Sequence, residues 1–354
     1  MKFQAILATI FAAMLTVPSA PAAETDMDKA LRTAFERGEL RGLHAVVAIY
    51  KGNTIAESFF EGADQNWGAP LGVRTHGPDT LHDLRSVTKS MTSLLYGIAL
   101  DKGMVAPPTA NLLAQFPEYT DLPDDAQRRT ITIGDTLSMQ MGIAWNEDLP
   151  YTDPRNSEIA MELSKDRYRY VLSRPMIGAP GDRWVYNGGA TALIGRLVEK
   201  GTGMPLDQFA EDVLFTPLGI TKYEWARGTD GVPSPASGLR LSAHSMVKIA
   251  EMIKAGGVYA GKRIVSEDWL AQSKIPRATN VFGLRYGYFW WLPPGTDQPR
   301  WMAGFGNGGQ RLTVNSTDDL ILLIFGGRYN EPDNWRLPVK VIQDFLVPAI
   351  TPKN

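Results

Sequence analysis

The chain has 354 residues, 44% of them hydrophobic and 21% charged, which excludes a disordered polypeptide and is enough for one large domain or two small ones. Its 36 Lys and Arg against 38 Asp and Glu leave a net charge of −2 with no basic cluster, so nucleic acid is not an expected partner. The absence of cysteine excludes disulfides, thiol nucleophiles and lipid attachment through a cysteine.

At the N-terminus, Lys2 precedes an uncharged run from Ala5 to Val17 and then Pro18-Ser19-Ala20-Pro21-Ala22, the layout of an export signal cleaved after Ala22. As a helix that run rises only about 20 Å, short of a bilayer core of about 30 Å, so a mature periplasmic or secreted protein without stable membrane insertion is expected, with an uncleaved anchor as the weaker alternative. A short helix is expected over 28–37. Two strand-like runs, 44–50 and 54–60, flank the turn Lys51-Gly52-Asn53 and read as a β-hairpin. From Val87, apolar residues at Met91, Leu94, Leu95 and Ile98 recur at helical spacing until Gly103, which puts Ser86 where a helix begins.

The middle of the chain reads as helices and loops: a capping box at Thr132 and Asp135, a helix over about 190–199 and another over 242–254. Strand signals return at 310–314 and 320–325, followed by a helix over about 338–345. The expected fold is therefore α+β, with an antiparallel sheet assembled from both chain ends and flanked by helices. A largely helical region is inserted between those ends, with a cleft where the parts meet. The sheet-bearing part spans about 25–85 and 281–354 and the helical part about 86–280, within one domain from 23 to 354.

Three elements carry chemistry. Residues three apart on a helix share a face, so Lys89 can reach the hydroxyl of Ser86, provided burial or a neighbouring positive charge draws its pKa from about 10.4 toward neutrality. Ser245 and Lys248 repeat the spacing inside an amphipathic helix and are read as an ordinary first-turn serine and a solvated lysine. Tyr186 follows the turn Pro180-Gly181 just ahead of a helix and can relay protons. Gly304-Phe305-Gly306-Asn307-Gly308-Gly309 opens a strand, where glycines let a bound acyl group approach the backbone. The same glycines spell a dinucleotide fingerprint, which is rejected because that motif must open a helix. No serine lies in a nucleophile elbow and no His-Glu-x-x-His occurs.

His44, His76, His82 and His244 are scattered in sequence. Of these, His82 could serve as an unorthodox base, although structural duty is the simpler reading. Trp145, Trp290, Trp291 and Trp301 could form an acyl pocket, with at least two of them expected to be core. Neither a cofactor nor a metal is called for.

Leu84 through Ser90, Leu137 through Gly142 with Trp145-Asn146-Glu147, Pro180-Gly181 through Tyr186, and Tyr286 through Trp291 together resemble the serine β-lactamase and D,D-peptidase superfamily. The likeness is to its class C β-lactamase-like branch of family VIII carboxylesterases, peptidases and 6-aminohexanoate-dimer hydrolases. The resemblance implies a β-lactamase/transpeptidase-like fold, acylation at Ser86, proton sharing by Lys89 and Tyr186, and an oxyanion hole from the backbone N–H groups of Ser86 and Asn307. It implies substrate contacts at Asn187, Gly304, Phe305, Gly306 and Trp145. The sequence departs from the family pattern at Tyr186-Asn187-Gly188, where Tyr-x-Asn is expected, and at Gly304, where β-lactamases place a lysine. Losing that lysine removes a charge-assisted partner worth about 1.5–3 kcal/mol to a carboxylate, so uncharged small-molecule esters or amides are favoured over β-lactams and peptides. A binding-only sensor of the penicillin-binding type and a weak β-lactamase or D-amino-acid peptidase are the alternatives.

Overall fold

The computed structural model describes residues 24–352 apart from 124 and 281; the export signal expected at 1–22 lies outside the described residues. The chain starts with α1 (Asp26–Glu36), whose Thr25 and Asp28 form a capping box and whose Met27, Leu31 and Ala34 make one buried stripe. Two hairpins follow: β1 (Leu43–Tyr50) with β2 (Asn53–Phe59), and β3 (Glu61–Asn66) with β4 (Ala69–Thr75). Lys51 and Gly52 both have positive φ at the first turn, as a tight two-residue hairpin requires. After β5 (His82–Asp83) comes α2 (Val87–Asp101), nearly all of it buried.

The region beyond α2 is mainly helical. It holds α3 (Ile133–Leu137), α4 (Ser157–Glu162), α5 (Arg167–Leu172), α6 (Gly188–Thr202), α7 (Leu206–Ala210), the short strands β6 (Glu224–Trp225) and β7 (Leu239–Leu241), and α8 (Ala243–Lys254). The expected capping box at Thr132 and Asp135 starts α3. Ser242 caps α8, and Lys248 donates to the Gly219 carbonyl, so the second serine–lysine pair is an ordinary helix start. Next are β8 (Val258–Tyr259), β9 (Lys262–Arg263) and α9 (Glu267–Ser273). The chain then re-enters the sheet through β10 (Ala278–Thr279), β11 (Arg285–Tyr286), β12 (Trp291–Leu292), β13 (Met302–Gly306), β14 (Gln310–Asn315) and β15 (Leu320–Gly326), and α10 (Arg336–Lys340) opens the closing helical stretch.

The main sheet is antiparallel, in the order β10-β11-β12-β13-β14-β15-β1-β2. Its two chain ends meet at the β1–β15 pairing, with Val47 opposite Leu323 and Tyr50 opposite Leu320. Every residue of β15 is buried, because helices cover both faces of the sheet. Side-chain alternation then divides the strands between two cores. Ala45, Val47, Ile321, Leu323 and Phe325 join α2 and α8 on one side; Val46, Ala48, Leu322 and Ile324 join α1, Leu337, Val341 and Leu346 on the other. α8 packs on β14 and β15. Among the described residues no helix is long and apolar enough to cross a membrane.

Candidate active site

Ser86 occupies the N-cap position of α2, yet its hydroxyl makes no cap hydrogen bond and is left for other partners. The preceding Arg85 is held at φ +49°, a left-handed conformation uncommon for a side-chain-bearing residue. Ion pairing to Asp83 at 3.0 Å and a hydrogen bond from Arg85 Nη2 to Gln65 Oε1 at 3.0 Å hold it there. One helical turn on, Lys89 Nζ lies 3.2 Å from Ser86 Oγ. Tyr186 lies beside the same serine, and its ring lies 4.8 Å from Lys89 Nζ.

Lys89 is 1% exposed, and each of its three donors has an acceptor: Ser86 Oγ, Glu158 Oε2 at 3.3 Å and the Ala236 carbonyl at 3.1 Å. An ammonium can donate to all three, with Glu158 as its counter-ion. Burial opposes the charge, but Glu158, Tyr186 and Glu147 outweigh it and hold the Lys89 pKa above its ordinary value. The lowered lysine pKa expected from the sequence is therefore overturned, because the cleft that buries Lys89 also supplies its counter-ion. Burial likewise raises Tyr186, against the pull of Lys89.

Glu158 had no local sequence signal, and Glu147 stood only in the Trp145-Asn146-Glu147 stretch of the resemblance. Glu158 sits on the short helix α4, 69 residues from Lys89, and also accepts from Ser237 at 2.8 Å. Glu147 accepts from Trp145 Nε1 at 2.6 Å, from Tyr151 at 3.0 Å and from the Gly188 N–H. Burial, and then the charge of Glu158, push Glu147 up to about 7. The Tyr186-Asn187-Gly188 departure acquires a reason here: a Cβ on Gly188 would lie 2.3 Å from Glu158 Oε2. Glycine at this position makes room for the carboxylate beside Lys89.

Several expected substrate contacts have other duties. Asn187 is 2% exposed and caps α6 by accepting from the Ala190 N–H at 3.0 Å. Trp145 packs on α6, where a Cβ on Gly189 would meet its ring at 2.6 Å, and it orients Glu147. Gly304 faces α2, not a ligand: its Cβ would come within 2.9 Å of Val87 Cγ1. A Cβ on Gly306 would meet the Leu84 carbonyl at 2.4 Å, so these glycines serve mainly to bring β13 against the helix start that carries Ser86. Phe305, Gly306 and Asn307 do line the site. Trp290 is fully buried core, whereas Trp291 lines the cavity.

Two cavities meet at Ser86 and Asn307. One, of about 380 Å³, is bordered by Trp67, Arg85, Glu158 and Arg227; the other, of about 470 Å³, by Tyr186, Trp291, Phe305 and Arg311. His82 borders neither. His44, His76 and His82, scattered in sequence, come together behind the site with donor atoms all within 4.8 Å of one another, the one such group among the described residues that could hold a metal ion. Two of those donors are already paired, since His44 Nδ1 lies 2.8 Å from His82 Nε2.

An antiparallel sheet with covering helices, carrying a helix-start serine joined to a lysine one turn on and to a tyrosine from the helical region, is the architecture of the active-serine enzymes of the β-lactamase/transpeptidase type. The Beta-lactamase family profile matches residues 27–336, and the chain belongs to that family. A 6-aminohexanoate-dimer hydrolase of Paenarthrobacter ureafaciens is 23% identical over 70% of this chain and 66% of its own length. The lovastatin esterase of Penicillium rubens is 28% identical over 56% of this chain and 52% of its own length. These matches span less than two thirds of those curated relatives. A family VIII carboxylesterase structure superposes with TM-score 0.65 at 17% identity, covering 91% of this chain and 99% of that one. A penicillin-binding protein homologue of Caulobacter crescentus gives TM-score 0.65 at 17% identity, over 90% and 97%.

Proposed function

We propose that the protein is an exported hydrolase of small ester or amide substrates that works through an acyl-enzyme on Ser86. The observation that carries this reading is the convergence of Lys89 Nζ and the Tyr186 hydroxyl on Ser86 Oγ where two cavities meet. Export rests on the sequence of residues 1–22, and the ester or amide class on what the relatives are named for.

Accepting the serine proton requires the Lys89–Tyr186 pair to be one proton short. Of the two ways to arrange that, ammonium with phenolate fits this site better than amine with phenol, because Glu158 holds the ammonium. Tyr186 then takes the Ser86 proton as Oγ attacks the carbonyl, with Lys89 stabilising the phenolate. The backbone N–H groups of Ser86 and Asn307 receive the developing oxyanion, and the proton passes to the leaving group. Water deacylates the serine by the reverse relay.

With p-nitrophenyl butyrate, the wild-type protein is expected to release a burst of p-nitrophenol approaching one equivalent and to carry a butyryl group on the peptide containing Ser86; Ser86→Ala gives neither. Equal traces from the two proteins would instead favour a binding-only role. Tyr186→Phe is expected to slow acylation by about 100-fold or more with little change in the urea midpoint. Unchanged acylation would remove Tyr186 from the relay.

A further inference from the structure

Trp67 is a residue that its local structure does not call for. It and Gly68 form the two-residue loop of the β3–β4 hairpin, between the paired Asn66 and Ala69, and both have positive φ, at +47° and +99°. Such a turn favours Asn, Asp or Gly at its first position, so a bulky side chain there is held by contacts outside the turn. β4 beside it is almost wholly exposed, whereas Trp67 is half-buried and lines the smaller cavity together with Ser86, Ile159 and Leu163.

Two hydrogen bonds hold this tip, and both lead to the site. The backbone N–H of Trp67 donates to Asp83 Oδ2 at 2.7 Å, and Asp83 pairs with Arg85, the residue before Ser86. The indole Nε1–H donates to Ser237 Oγ at 3.1 Å, and Ser237 Oγ donates to Glu158 Oε1 at 2.8 Å. The other oxygen of that carboxylate accepts from Lys89 at 3.3 Å. The direction of this chain is forced. An indole nitrogen can only donate and a serine hydroxyl has a single proton, so the bond from Trp67 turns that proton toward Glu158. The hydroxyl of Ser234, 3.5 Å from that of Ser237, is itself committed to Glu162 at 2.6 Å. Hydrogen bonds linked in one direction strengthen one another in a buried site, so the outermost donor is felt at the carboxylate.

We propose that Trp67 is a positioning residue for the proton relay. Its indole N–H orients Ser237, Ser237 holds Glu158 against Lys89, and Lys89 Nζ is thereby kept at Ser86 Oγ and beside Tyr186. The polar hairpin that carries Trp67 has this link to the reaction as its function, which accounts for a tryptophan where the turn alone would take asparagine. The inference rests on the acyl-enzyme reading, since a relay must exist for Trp67 to position it.

Trp67→Phe keeps an aromatic wall on the cavity and removes only the donor. In rapid-mixing burst measurements with p-nitrophenyl butyrate, this variant is expected to acylate about 10-fold more slowly than wild type, with the substrate concentration for half-maximal rate within about twofold. Ser237→Ala, which breaks the same chain from its buried side, gives a similar loss. The double variant is expected to be no slower than the slower single one, because both changes act through one chain. Ser237→Thr keeps the hydroxyl and recovers most of the rate. Acylation at the wild-type rate in both Trp67→Phe and Ser237→Ala overturns the inference, as do losses that multiply in the double variant. A fall in the urea midpoint whose rate loss Ser237→Thr shares would show that Trp67 merely anchors the hairpin, and overturns it too. A wild-type protein without a Ser86-dependent burst sinks the acyl-enzyme reading and this inference together, whereas a normal wild-type burst with unaffected variants sinks the inference alone.

Discussion

On the proposed relay, Lys89→Met is expected to lower kcat/KM for p-nitrophenyl butyrate by on the order of 10⁴-fold, about as deeply as Ser86→Ala, because groups that act as one relay do not contribute separately. The two variants part company in stability. Ser86→Ala removes a hydroxyl that is not needed to cap α2. Lys89→Met takes the cation away from Glu158, which is 2% exposed, and from Glu147 beside it. Breaking one side of a buried pair costs about 3–5 kcal/mol when the remaining charge must stay ionised.

The sign of the pH dependence comes from Glu147, which burial and Glu158 push up to about 7 while Lys89 pulls the other way. Without Lys89 that pull is lost, so the folded variant holds the Glu147 proton to higher pH than the unfolded chain and loses stability as pH increases. Urea denaturation is expected to show Lys89→Met close to wild type at pH 5 and several kcal/mol less stable at pH 8. A deficit independent of pH would mean that Lys89 does not govern the protonation of Glu147. In a Lys89→Met, Glu158→Gln double variant most of the pH 8 deficit should disappear while activity stays lost.

What could be read from the sequence follows from the range of each interaction. Ser86 and Lys89 are three residues apart on one helix, and the β1–β2 hairpin shows its alternation and turn, so local spacing revealed them. Tyr186 stood out by the turn before it and by resemblance. Glu158 did not: α4 has six residues and no periodic pattern, and its carboxylate matters only because the fold brings it to Lys89. The β3–β4 hairpin is polar and largely exposed, which hides it from a hydrophobic pattern. β13 is glycine-rich, against strand propensity, because α2 presses on Gly304. Asn187 and Trp145 line neither cavity at Ser86, because their side chains serve a helix cap and Glu147.

Stability toward acid is expected to hold nearly level from pH 7 to about 4.5 and then to fall steeply, because two buried sets of groups oppose each other. His44 and His82 are at most 1% exposed; burial and their neighbours lower His44 to about 2 and His82 well below its ordinary value. A folded state that keeps a histidine neutral binds fewer protons than the unfolded chain below pH 6.5. Each of the two therefore withdraws about 1.4 kcal/mol per pH unit as pH drops. Glu147 and Glu162 do the opposite. Burial pushes both up to about 7, so between there and their ordinary value near 4.5 the folded state takes up their protons first and gains about the same amount per unit as pH drops. Below 4.5 the glutamates are protonated whether folded or not, their offset stops growing, and the histidines lower stability by about 2.7 kcal/mol per unit, a large share of the 5–15 kcal/mol typical of a domain. Glu162→Gln removes one of the two offsets and is expected to tilt the level region, making stability fall by about 1.4 kcal/mol per unit between pH 6.5 and 4.5. Urea midpoints at pH 7, 5.5, 4.5 and 3.5 read both slopes. A wild-type decline that begins at pH 6.5, unchanged by Glu162→Gln, would show that the glutamates are ionised throughout and that the histidines act unopposed.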